Sequence, residues 1–233
     1  RLYWDIELEN DTMALQHVQN REKLVQKPFY FSSYSGWDTA GEYLIICISV
    51  IIFLCSIIAA SIFSGEYQSE SDAILRTTKY GRKQLAIAKF TASLLLSIIL
   101  YAVCIIIYIG VCYEMFGAEG LKTSVQFISL LSPSPYTIGN LNLLTIFGGL
   151  LMIVSMVSFT LFLSAKCNNP IIVIVMSVAM LVLPVLLQIV AGKINLVSAL
   201  CDILPSSGIG LYYELAGINY LSIGTWSIWS PYV

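Results

Sequence analysis

Charge is scarce in this chain. Of its 233 residues only 11% are charged, 12 Lys and Arg against 14 Asp and Glu, while 58% are hydrophobic. A soluble domain carries about 25% charged residues, so too few are present to cover a water-exposed surface. The mean hydropathy of +0.81 says the same. This composition excludes a soluble enzyme, a disordered tail and a nucleic-acid binder. The net charge of -2 gives no general attraction to polyanions. Histidine is reduced to His17, and no Cys-x-x-Cys pair occurs among Cys47, Cys55, Cys104, Cys112, Cys167 and Cys201. A structural zinc site takes four Cys or His ligands, so neither metal nor a disulfide framework is expected. The first four cysteines lie in apolar runs, where Cys serves as a small hydrophobe. The glycine-rich phosphate loop ending in Gly-Lys-Ser/Thr is missing, as are His-Glu-x-x-His and Gly-x-Ser-x-Gly. No catalytic residue and no cofactor site is expected in this chain.

Long apolar runs are what the sequence has instead. A helix needs about 20 apolar residues to span a bilayer. Four segments meet this, from Tyr43 to Phe63, Phe90 to Cys112, Leu143 to Ala165 and Ile171 to Ala191. Many of their residues are β-branched, but in lipid a lone segment must satisfy its own backbone, so helix is expected over strand. None of the four holds a charged residue. Intramembrane proteolysis by paired Asp residues and self-powered ion-coupled transport both leave polar or ionisable groups at membrane depth, and both are disfavoured.

Within these runs, Pro184 predicts a kink. Gly148 and Gly149 allow close helix approach, within the chain or against a second copy. Met152, Met156, Met176 and Met180 recur at a spacing of four and suit core filling over a pliable substrate wall. Ser49, Ser56, Ser97, Ser155, Ser158, Thr160 and Ser177 are expected mostly to bond to their own helix backbone.

The connections set the expected sidedness. Residues 64–89 and 166–169 must share a side, and together they hold six Lys/Arg and three acids. Short basic loops stay in the cytoplasm, which puts residues 1–42, the 113–142 loop and 193–233 outside. Residues 2–9 alternate like a half-buried strand. Asp11 or Thr12 can cap a helix over 13–27, closed by Pro28. The aromatics Phe29, Tyr30, Phe31, Tyr34 and Trp37 then suit the headgroup region, giving a small extracellular cap. Residues 193–233 are broken by Pro205, Gly208, Gly210, Gly217 and Gly224. They are read as short interfacial or re-entrant helices, with Trp226 and Trp229 as headgroup anchors. The segment starts at Arg1 and stops at Val233 with both ends assigned outside. One further spanning helix is therefore expected before Arg1 and another after Val233, six in all.

The stretch from Gly65 to Phe90, GEYQSESDAILRTTKYGRKQLAIAKF, has helical spacing. Arg76, Lys79 and Lys83 share one face, and Ile74, Thr78 and Leu85 share the other. Gly81 divides it into two short helices. On periodicity alone it is either an interfacial helix on anionic lipid or a docking surface for a cytoplasmic partner.

Its residue order resembles the ABC-2 type permeases, the membrane subunits of a class of ABC exporters. Carrying the resemblance are Glu66 or Glu70, Ile74-Leu75, Thr77-Thr78, Gly81-Arg82, and Leu85-Ala86-Ile87-Ala88-Lys89. It departs at Ser71-Asp72, where Gly-Thr is common in the family, and at Lys79-Tyr80, where Pro is common. The resemblance implies an all-α integral membrane fold of six helices, four of them visible, in a multi-pass protein of a bacterial plasma membrane. It also implies a dimer, identical or mixed, in which each copy docks a separate ABC ATPase subunit that holds ATP and Mg. The 64–89 loop would be the coupling element, with Glu66, Glu70, Arg76, Lys79, Gly81, Arg82, Lys83 and Lys89 as its residues. The uncharged spans suit an amphiphilic or hydrophobic cargo such as a peptide antibiotic or drug. The rival reading is a non-transporting sensor or assembly protein whose basic loop binds lipid or a regulator. An intramembrane enzyme comes third.

Overall fold

The computed structural model describes residues 32–68, 83–127, 136–191, 212, 220–223 and 226–229. Only the backbone is described at 83, 184–185, 187–191 and in the two strands. The expected strand over 2–9 and helix over 13–27 lie outside the described residues. Four long helices dominate those that remain: α1 (Ser35–Gln68), α2 (Lys83–Phe116), α3 (Ile138–Lys166) and α4 (Pro170–Ala191). Of these, α1, α2 and α3 are long and apolar enough to cross a membrane. Four spans were expected. The fourth falls on α4, a helix of 22 residues whose fully described apolar part, Pro170–Leu183, is shorter than a span. Pro184 lies inside α4, which continues past it to Ala191.

The helices outrun the apolar windows that announced them. A helix of 34 residues, the length of α1 and of α2, is about 51 Å long. The hydrocarbon core is only about 30 Å thick. The excess carries the charges: Asp38, Glu42 and Glu66 on α1, Lys83, Lys89 and Glu114 on α2. The connection between α1 and α2 is accordingly 69–82, not the expected 64–89. Glu66 and Lys89 belong to helices and not to a loop.

Local chemistry explains the breaks. Gly117 follows α2 with φ of +69° and returns its N–H to Tyr113 at 2.9 Å. Glycine takes this left-handed conformation without steric cost and is the usual residue after a helix. Two 3₁₀ turns, Glu119–Lys122 and Val125–Phe127, then lead toward α3. A bridge between Ser124 and Thr137 fixes their exit, and the Thr137 hydroxyl caps α3 by accepting from Asn140 N–H. Asn169 accepts from Ile171 N–H at 2.9 Å and Pro170 opens α4, the favoured place for proline.

α1 and α3 run parallel and pack along a shared seam. Trp37 meets Ile138 at one end, Ile48 meets Gly149 in the middle and Ser64 meets Ser164 at the other end. The buried residues of α1 recur at three and four: Trp37, Ala40, Leu44, Ile48, Ile52, Cys55, Ala59. α2 returns antiparallel and buries only a narrow stripe, Ser93, Ser97, Tyr101, Ile105 and Cys112. Its remaining surface is exposed Leu, Ile and Val, a face suited to lipid.

Two expectations change here. Trp37, expected at headgroups, is 1% exposed. It sits among Ala40, Cys112 and Ile138 and its Nε1–H donates to Gly117 O at 2.8 Å. Tyr220–Ile223 (β1) and Trp226–Trp229 (β2) form an antiparallel ladder with Tyr220 opposite Trp229 and Ile223 opposite Trp226, not re-entrant helices. The two intervening residues, Gly224 and Thr225, are a Gly-X pair of the kind that suits a two-residue hairpin connection. The described residues are otherwise helical, as expected, and this short strand pair is the one departure among them.

The methionines divide. Met152 and Met156 are buried in the core, whereas Met176 is exposed. Ser49, Ser97, Ser158, Thr160 and Ser177 bond to carbonyls of their own helices, as expected. Cys47, Cys55, Cys104, Cys112 and Cys167 are free thiols.

Candidate functional site

The last turns of α1 and the first turns of α2 converge where the chain leaves for 69–82. Lys89 Nζ donates to Glu66 Oε1, closing an ion pair. The same ammonium lies 5.8 Å from the Phe63 ring centroid, within reach of a cation–π attraction. Both charged side chains keep partial exposure, 21% for Lys89 and 32% for Glu66. The pair staples together the two helix ends that bound the connection. Both residues are among the expected coupling residues, and here they pair with each other.

One turn earlier, α3 grips the same stretch of α1. Ser164 Oγ accepts from Phe63 N–H at 3.1 Å and from Ser64 N–H at 3.0 Å. Its hydroxyl donates to Ala60 O at 2.7 Å. Ser64 Oγ also donates to Ala60 O. Both serines are fully buried. Small residues at Ala60 and Ser64 face Thr160 and Ser164 on α3. This is the small-x-x-x-small spacing that lets helix backbones approach in lipid. That spacing, present in both apolar runs, was the sequence signal that could have found Ser64 and Ser164.

Midway, Gly149 is buried. A Cβ there would lie 2.6 Å from Tyr101 Oη and 2.8 Å from Ile48 Cδ1. Tyr101 uses that opening to donate to Ile146 O at 2.7 Å, joining α2 to α3. Gly149 thus serves packing within the chain. Gly148 beside it is only partly buried.

At the far end, Tyr212 is 1% exposed and its hydroxyl donates to Asp38 Oδ1 at 3.0 Å. The ring packs with Ile45, Val125 and Leu141. Nearby, Tyr108 donates to Ala40 O at 2.6 Å. Asn142, 4% exposed, makes no hydrogen bond with either side-chain atom. Ser56 Oγ and Thr123 Oγ1 are likewise buried and without partners.

Of the other expected coupling residues, Glu70, Arg76, Lys79, Gly81 and Arg82 lie outside the described residues. Lys83 opens α2. No group of three or more His, Cys, Asp and Glu residues suited to a metal occurs among the described residues. Comparison with family models, with curated proteins and with solved structures yields no match for this chain.

Proposed function

We propose that this chain is the membrane subunit of an ATP-driven exporter of the ABC-2 type, and that residues 69–82 dock a separate ATPase subunit. The observation that carries the reading is the Glu66–Lys89 staple. It closes the base of a short basic connection whose sequence resembles the family's coupling segment. A connection tied at its base to two helices that can cross the membrane cannot be displaced without displacing them. Arg76, Lys79, Arg82 and Lys83, on and beside this connection, supply the positive charge that would meet partner carboxylates.

In this reading α1, α2 and α3 are three of six spanning helices, α4 is a fourth, and 69–82 lies in the cytoplasm of a bacterial cell. The chain works as a dimer, and its uncharged spans suit an amphiphilic or hydrophobic cargo taken from the membrane.

The test is to tag the full-length protein, extract it gently from its native membrane and identify what co-purifies. The Arg82→Glu, Lys83→Glu double variant runs alongside. A stoichiometric ATPase that falls away from the variant is the expected result. An intact, monodisperse protein without ATPase overturns the reading and promotes a lipid-binding or regulator-binding connection in a sensor or assembly protein.

A further inference from the structure

The geometry points to Ser164 as a positioning residue that holds α3 to α1 where the chain leaves for 69–82, so that α1 and α3 move as one body and α2 is the helix that parts from them. Its place in transport rests on the docking role proposed above; the mechanical claim stands on the contacts alone.

Among the described contacts, two attachments meet on the Phe63–Glu66 turn of α1, and they differ in strength. On the α2 side stands the Lys89–Glu66 pair, with both side chains part-exposed. Partly hydrated ion pairs are screened by salt and contribute little. On the α3 side, Ser164 uses both acceptor positions and its one donor: Phe63 N–H, Ser64 N–H and Ala60 O. Ser164, Ser64 and Ala60 are fully buried and Phe63 is half-buried, so water has little access to replace these bonds as they open. A load entering through Gln68 and Lys83 therefore meets a yielding contact toward α2 and a stiff one toward α3.

The rest of the seam is consistent with one body. Close packing at Gly149 leaves no room for α1 and α3 to slide, since Ile48 already stands where a Cβ would sit. Trp37 holds the other end against Ile138.

The experiment measures distances between spin labels in the full chain in lipid nanodiscs, with its native cysteines replaced. Gln68, Gln84 and Lys166 are exposed, so Gln68→Cys with Lys166→Cys reads α1 against α3. Gln84→Cys with Lys166→Cys reads α2 against α3. With the co-purified ATPase and a non-hydrolysable ATP analogue, the 84–166 distance is expected to shift while 68–166 stays a single narrow peak. Ser164→Ala is expected to broaden the 68–166 peak, and Ser164→Thr, which keeps the hydroxyl, to restore it. A 68–166 peak that shifts with nucleotide in the parent, or that is unchanged by Ser164→Ala, overturns the proposal. A Ser64→Cys, Ser164→Cys disulfide, placed where the two hydroxyl oxygens lie 3.4 Å apart, is expected to leave the 84–166 shift intact; loss of that shift also overturns it. If no ATPase co-purifies, the docking role fails, and the width of the 68–166 peak in the two Ser164 variants still decides whether Ser164 holds the helices together.

Discussion

The Tyr212 ring fills the space that Gly41 leaves by having no side chain. A Cβ on Gly41 would overlap Tyr212 Cε2 and lie 2.7 Å from its hydroxyl oxygen. One residue from beyond α4 is thereby seated on the first helix. Gly41→Ala is expected to expel the ring and destabilise the fold by about 1–3 kcal/mol, as overpacking does. Tyr212→Phe keeps the ring and loses only the bond to Asp38, which costs about 1.5–3 kcal/mol at most for a hydrogen bond to a charged group. Reversible unfolding in mixed micelles measures both. An unchanged midpoint in Gly41→Ala would show that Tyr212 is not seated there.

Gly149 makes the equivalent prediction at mid-seam, with a different signature. Gly149→Ala must displace Tyr101 or Ile48, at a cost of about 1–3 kcal/mol. Tyr101→Phe in the same chain removes the hydroxyl that a Cβ would strike first. The two changes touch, so they should be non-additive. A double variant as unstable as the sum of the singles would argue against the close approach.

Asn142→Leu is expected to stabilise. The native amide is buried with neither end satisfied, a state that costs about 1–3 kcal/mol per group. Leucine has the same branched shape and number of side-chain heavy atoms and carries no polar atom. A raised unfolding midpoint is the expected outcome, and a fall of similar size would show that the amide is satisfied in the membrane.

The Glu66–Lys89 pair is expected to contribute little to stability. Both side chains keep contact with solvent, and such pairs measure about 0.2–1 kcal/mol in double-mutant cycles. Glu66→Gln, Lys89→Met and their combination give the coupling energy, which should shrink as salt is raised. A coupling above this range, insensitive to salt, would mean the pair is dehydrated by lipid.

Hydropathy located the four long helices because an apolar run of that length satisfies its own backbone as a helix in lipid. It misplaced their ends because it scores polar residues as loop, whereas Gly65, Glu66, Tyr67 and Gln68 continue α1 with helical hydrogen bonds and a staple to α2. Trp37 was misread for a related reason. Tryptophan is common at headgroups, but nothing local reveals that Gly117, 80 residues later, offers its indole a carbonyl. The hairpin over 220–229 was hidden by scattered glycines that read equally as breaks in short helices. Its aromatic and aliphatic Tyr-Leu-Ser-Ile and Trp-Ser-Ile-Trp flanking Gly-Thr were the signal. At the candidate site, the charges were visible but not their partners. Glu66 and Lys89 look alike whether they face a protein subunit or each other, and only the helix ends decide it. Ser164 was invisible to any search for charge, since its chemistry is a hydroxyl meeting a backbone.

The seam between α1 and α3 also sets a timetable. Ser164 is synthesised 101 residues after Phe63, about 5–20 s later at ordinary rates of translation. During that interval first α1 and then α2 is completed without α3. The hydroxyls of Ser56 and Ser64 and the bare backbone of Gly41 then have only lipid, α2 or the insertion machinery beside them. The emerging α3 finds its place between helices already laid down, guided by the groove at Ala60 and Ser64 that its own Thr160 and Ser164 match. A nascent chain halted before Thr160 would leave that groove open, so assembly of this bundle is governed by the last turns of its third helix.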